Sequence, residues 1–167
     1  MTSPELIELT APKNQRWTPK KSHFALKEVP GAPNVGDQPV VRLRQMKEIS
    51  RRFEAHEFWD PDNSRFELRL LVQPVLRYRD DAAKVTDGTV FVMAHGTNPE
   101  ILIQIEADAA TQPPRWKYSL ARLGSAEMHV LIDGREVWTE PRTPGVFGQP
   151  VDPYWLFFLA PDQTAPR

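Results

Sequence analysis

"DGTVFVMAHGTNPEILIQIEAD", residues 87–108, decides what kind of fold this sequence can make. In its first half both alternating sets are apolar, Val90 and Val92 on one side and Phe91 and Met93 on the other. A strand of that kind is covered on both faces and lies near the middle of a sheet. In the second half Ile101, Ile103 and Ile105 alternate with Leu102, Gln104, Glu106 and Asp108, and the β-branched residues favour a strand over a short helix. Between them Gly96 can take a left-handed conformation and Asn98-Pro99 initiates a turn, so residues 95–100 form a hairpin connection.

Strand signals continue on both sides. "RFELRLLV", residues 65–72, sets Phe66, Leu68, Leu70 and Val72 against Glu67, Arg69 and Leu71. Gln73-Pro74 then calls for a bend or a sheet edge before the extended "VLRYR". "RWKYSLARL" puts Trp116, Tyr118 and Leu120 on one face. In "MHVLIDGREVW", Asp133-Gly134 between two apolar runs predicts a two-residue type I′ hairpin, which needs positive φ at both turn residues. Before the strands, Leu43, Met46, Ile49 and Phe53 are spaced three, three and four apart, which predicts one amphipathic helix over about residues 41–58. The expected fold is therefore α+β: a mainly antiparallel sheet of about six to seven strands with an N-terminal amphipathic helix packed on one face.

Proline punctuates the two ends. Of 17 prolines, six lie in residues 1–39 and six from Pro141 onward, which predicts extended segments there, since proline interrupts helices and central strands alike. The expected organisation is a Pro-rich arm at 1–39, one α+β domain at 40–140, and a Pro/Gly loop with an aromatic segment packing on the domain at 141–167. That last segment carries Tyr154, Trp155, Phe157 and Phe158, a concentration that suits either core closure or an anchor for a partner.

Charge and composition exclude several function classes. Lys and Arg number 21 against 22 Asp and Glu, so no global field draws the chain to nucleic acid or an anionic membrane. Arg44, Lys47, Arg51 and Arg52 share part of the helix surface, but Glu48 and Glu54 break the patch, and nucleic acid is not the expected partner. With no cysteine, disulfides, thiolate metal sites and Cys nucleophiles drop out. "MTSPELIELTAPKNQRW" lacks the basic start and apolar run of a secretory signal. "YWLFFLA" falls far short of the roughly 20 residues a membrane helix requires. A soluble, cytoplasmic protein is expected.

Two stretches hold the residue types that do chemistry. "AHEFWDPDNSRFELRLL", residues 55–71, gathers His56, Glu57, Asp60, Asp62, Asn63 and Glu67. A calcium loop needs a mid-loop glycine that is absent here, and its closing glutamate comes too early. On a helix His56 and Asp60 would share one face at i, i+4, but a third ligand has to come from distant segments, so neither these two nor Asp62 predicts a metal centre. The simpler expectation is a corner: Pro61 stops the helix, Asp60, Asp62, Asn63 and Ser64 make the turn, and Phe66 opens the sheet. In "HGTNPE", residues 95–100, His95 is the candidate general base, with Asn98 and Glu100 orienting it or a substrate. The alternative there is a turn whose polar side chains only satisfy the backbone. Glu106 and Asp108 read as a solvated strand face. No nucleophile elbow, phosphate loop or dinucleotide fingerprint occurs, and no cofactor is expected.

The order Glu67–Leu71 (E-L-R-L-L), Gln73-Pro74, Arg77-Tyr78, Asp87-Gly88, Gly96–Glu100 (G-T-N-P-E) and Trp116–Arg122 (W-x-Y-x-L-A-R) resembles a family of uncharacterised small bacterial proteins abundant among planctomycetes. The resemblance covers roughly residues 66–138 and brings no activity, ligand or partner. It implies that Gly96–Glu100 and the run from Trp116 to Arg122 are places to test for a site, with Trp116 a binding candidate, and it weakens a catalytic role for His95.

Two functions are expected on these grounds. The first is a non-enzymatic binding or protein-interaction module that docks a protein partner or a second copy through its arms and the aromatic segment Tyr154–Phe158. The second is a small-ligand-binding protein or hydrolase-like enzyme with a pocket between helix and sheet, His95, Asn98 and Glu100 at its mouth and His56 and Glu57 beside them.

Overall fold

The computed structural model describes residues 9–11, 15–17, 25–59 and 62–143. A small hairpin pairs β1 (Leu9–Ala11) with β2 (Gln15–Trp17). The rest comprises β3 (Lys27–Glu28), α1 (Pro39–Ser50), β4 (Phe53–Trp59), β5 (Ser64–Glu67), β6 (Arg69–Leu70), β7 (Leu76–Asp80), β8 (Val85–His95), β9 (Asn98–Asp108), β10 (Arg115–Arg122), β11 (Glu127–Ile132) and β12 (Arg135–Glu140). Two antiparallel sheets result. One has the order β3-β10-β9-β8-β6, with β7 also paired to β8; the other runs β12-β11-β4-β5. The mainly antiparallel α+β expectation is met at that level.

Residues 87–108 form the central hairpin of the larger sheet, β8 and β9 in antiparallel register from Val85↔Asp108 to His95↔Asn98. Its inner face carries rungs such as Leu120–Ile103–Phe91 and Tyr118–Ile105–Thr89. These pack with Phe53, Ala55, Met128, Val130 and Ile132 of the smaller sheet in a single apolar core. The Asp133-Gly134 turn has φ of 51° and 74°, the positive pair a type I′ hairpin needs.

Three expectations change. The helix is twelve residues, Pro39–Ser50, and is not the N-terminal element, since β3 precedes it. The Ser50 hydroxyl bonds back to the Lys47 carbonyl, and from Phe53 the chain enters β4, paired on both sides by β5 and β11. Phe53 satisfies both periods, the fourth point of the helical stripe and the first inward position of a strand, and two flanking strands decide in favour of the sheet. Secondly, the single strand expected over 65–72 changes sheets. Leu68 donates its N–H to Ala55 of β4, whereas Leu71 donates to Val92 of β8. The strand count therefore exceeds the expected six to seven: ten strands share the two sheets.

Thirdly, Glu106 and Asp108 are buried rather than solvated. Glu106 accepts from the Tyr78 hydroxyl at 2.5 Å and from Gln104, while Ser119 donates to Gln104 at 3.0 Å and Lys117 pairs with Asp108. Gly88 lets Tyr78 into this network, because a Cβ there would stand 2.6 Å from the phenol ring.

The helix sits over the Asp87 end of β8. Its Met46 and Ile49 enter the core, and the Thr89 hydroxyl lies 3.3 Å from Met46 Sδ. No helix among the described residues is long and apolar enough to cross a membrane.

Candidate functional site

At the far end of β8 three ionisable side chains from three strands converge. Glu57 lies on the inward-facing side of β4, in line with Phe53 and Ala55 and opposite Met128 of β11. A carboxylate has taken a core position there, only 1% exposed. Its Oε1 lies 2.7 Å from His95 Nδ1, and its Oε2 has no hydrogen-bond partner among the described residues. Burying a carboxyl oxygen without a partner is costly, so the position is not explained by stability.

His95 closes β8 with its side chain 35% exposed, and the Phe66 ring stacks on it at 4.5 Å and 30°. A neutral imidazole that donates Nδ1–H to a carboxylate is fixed in one tautomer and keeps Nε2 as a lone-pair acceptor. Nε2 makes no hydrogen bond among the described residues.

Glu100 arrives through a β-bulge. Across the hairpin Met93 pairs Ile101 and Ala94 pairs Pro99, so Glu100 is the extra residue, and it is almost completely buried. Gly124 makes room for its carboxyl group, since a Cβ there would overlap Glu100 Oε2. Burial pushes the Glu100 pKa up to about 7, with the Glu57 carboxylate adding to it and the charges of His95 and Arg122 opposing. Arg122 spends its guanidinium on the carbonyls of Gly124, Pro141 and Ala126, at 2.8, 2.9 and 2.7 Å.

The other candidate residues are placed elsewhere. The turn is Gly96-Thr97 rather than Asn98-Pro99; Asn98 opens β9, is exposed, and its side chain bonds to neither His95 nor Glu100, while Glu57 holds His95 instead. His56 points to the opposite face of β4 from Glu57, where its ring stacks on His129 at 4.8 Å and 2°. Asp62 is exposed and accepts the Ser64 N–H at 3.2 Å, as expected of a corner; Asp60 lies outside the described residues. The four-residue separation of His56 and Asp60 has no helical meaning, because His56 is on a strand. Among the described residues no group of three His, Asp or Glu is arranged to hold a metal ion.

Trp116 is 2% exposed and belongs to the core; a shallow groove of about 350 Å³ runs beside it between residues 28–34 and 113–116. Tyr154, Trp155, Phe157 and Phe158 lie outside the described residues. Sequence reasoning set Glu57 beside the pocket but missed that it holds His95, and it missed Gly124. A signal existed for the first: Phe53, Ala55 and Glu57 form a period-two series with a carboxylate at its third inward position. Comparison with protein-family models, curated proteins and solved structures finds no match to this chain.

Proposed function

We propose that this chain is a small-ligand-binding protein whose site is the Glu57–His95–Glu100 corner, with acid–base chemistry within its reach. One observation carries this reading: a carboxyl group on the core face of a strand, 1% exposed, commits one oxygen to His95 and leaves the other buried without a partner. In the pair, Glu57 orients the imidazole and His95 Nε2 accepts a proton or a hydrogen bond from the ligand. Glu100, half-protonated near pH 7, can give a proton where His95 takes one. The chemistry within reach is proton transfer to and from a bound molecule, without thiol or hydroxyl nucleophile.

The test is a screen of small polar compounds by NMR, following the His95 ring and the Glu100 carboxyl carbon. Compounds that shift both signals in the wild type and not in His95→Ala support the site. A screen that moves neither signal, with the fold intact, overturns it.

A protein-interaction role is a second reading, favoured by Val72, Val75 and Leu76, three exposed apolar side chains at and beside the β7 edge. If that edge docks a partner copy, Val75→Lys lowers the apparent mass in solution. An unchanged mass for both chains counts against it.

A further inference from the structure

We propose that the ligand taken up at the Glu57–His95–Glu100 corner is a small organic cation, an ammonium or guanidinium group, received by the two glutamates and by His95 Nε2. The inference deepens the proposed function and rests on it. With His95 neutral and Glu100 ionised, the unpartnered atoms at the corner are acceptors. Glu57 Oε2 is buried and has no donor among the described residues. In the tautomer that gives its Nδ1–H to Glu57, His95 offers a lone pair at Nε2. Glu100 brings a second carboxyl group, close enough for the Glu57 charge to act on it.

The complementary ligand donates hydrogen bonds and carries positive charge, and a charge-assisted bond to a buried carboxylate is among the stronger ones available. An anion meets the reverse. The charges that act on Glu100 are Glu57 from β4, His95 from β8 and Arg122 from β10. Arg122 already serves three backbone carbonyls and lies 3.9 Å from Glu140, so an anion would face two carboxyl groups with only a protonated His95 to draw it in. Among the described residues no three His, Asp or Glu are arranged to hold a metal ion, which favours an organic cation.

Uptake of a cation has a proton signature. Burial raises the Glu100 pKa to about 7, and a cation beside it favours the carboxylate, so binding releases protons there and tightens as pH rises through 7.

The experiment titrates the intact chain with N-methylguanidinium chloride, with neutral N-methylurea and with sodium acetate, reading the His95 and Glu100 signals by NMR and proton release by calorimetry in two buffers. The expected result is saturable shifts with N-methylguanidinium alone, with proton release. Binding should weaken about tenfold or more in Glu57→Gln and stay unchanged in the surface control Glu48→Gln. The amide spectrum of Glu57→Gln reports whether it is folded, and His95→Asn serves in its place if it is not. Equal or tighter binding of N-methylurea or acetate overturns the cation and leaves the small-ligand site standing. If no probe moves His95 or Glu100, the cation proposal falls, and the small-ligand reading falls only if the wider screen is also blank.

Discussion

The two ends of β8 bury carboxylates in opposite ways. At one end Asp87 is met by Arg42 Nε at 3.0 Å, Arg77 Nε at 2.9 Å and Arg77 Nη2 at 2.7 Å. Burial pushes the Asp87 pKa up, but the two guanidinium groups outweigh it and hold the carboxyl below its usual range. Arg42 also binds the carbonyls of Gly36 and Asp37, and Arg77 that of Pro39, so the network ties the start of α1 to the sheet. At the other end Glu57 has one partner and an open oxygen, and its nearby ionisable neighbour Glu100 is a second acid. A buried charge whose valences are all matched is architecture. A buried charge left unmatched next to a like group opposes folding, a cost that the proposed binding role would explain.

The largest effect belongs to the closed end. Asp87→Ala strands two arginines, one of them buried, and should lower unfolding free energy by about 3–5 kcal/mol in urea denaturation. A loss under about 1 kcal/mol would erase the distinction between the two ends.

Next comes pH. The folded pKa of Glu100 lies above its unfolded value, so its contribution to stability is present below the ordinary carboxylate range and is lost as pH rises through about 7. Stability attributable to Glu100 should fall by roughly 2 kcal/mol between pH 5 and 8, a figure reduced for solvent screening, and Glu100→Gln should flatten that part of the profile. Coincident profiles for wild type and variant would show that the open end carries no such strain.

Glu57→Gln comes third. Neutralising a half-satisfied buried charge should leave stability within about 1 kcal/mol, on the side of a gain, and should lower the Glu100 pKa measured by carbon NMR. A loss of several kcal/mol would make Glu57 a structural residue like Asp87.

The smallest effect lies on the outer face of the second sheet. There burial foremost, and the Arg65 and His129 charges after it, lower the His56 pKa. His56 therefore supports the fold above its unfolded pKa and loses that support as pH falls through its folded one. His56→Phe should remove a loss of up to about 1 kcal/mol on the acid side, seen as a flatter melting-temperature profile below pH 6.5. No change in that profile would sink the stacked-histidine account.

Much of the fold was legible because its signals are local. Alternation marked β8, β9 and β10, and Asp133-Gly134 marked the last hairpin, since a positive-φ pair can be read from two residues. Residues 51–59 were not legible: Phe53 fits either period, and only the flanking strands select the extended form. The candidate site was half legible. His95 and Glu100 stood out as polar residues at a turn, whereas Glu57 was expected only beside them, and its pairing with His95, 38 residues away, comes from the packing of one sheet against the other.

The order of apolar and polar residues by itself determined that this chain forms antiparallel strands with one amphipathic helix beginning near residue 40, because backbone periodicity and turn chemistry act over a few residues. Tertiary structure alone decided which carboxylates are matched and which left open, because burial and charge pairing depend on neighbours brought together from three strands.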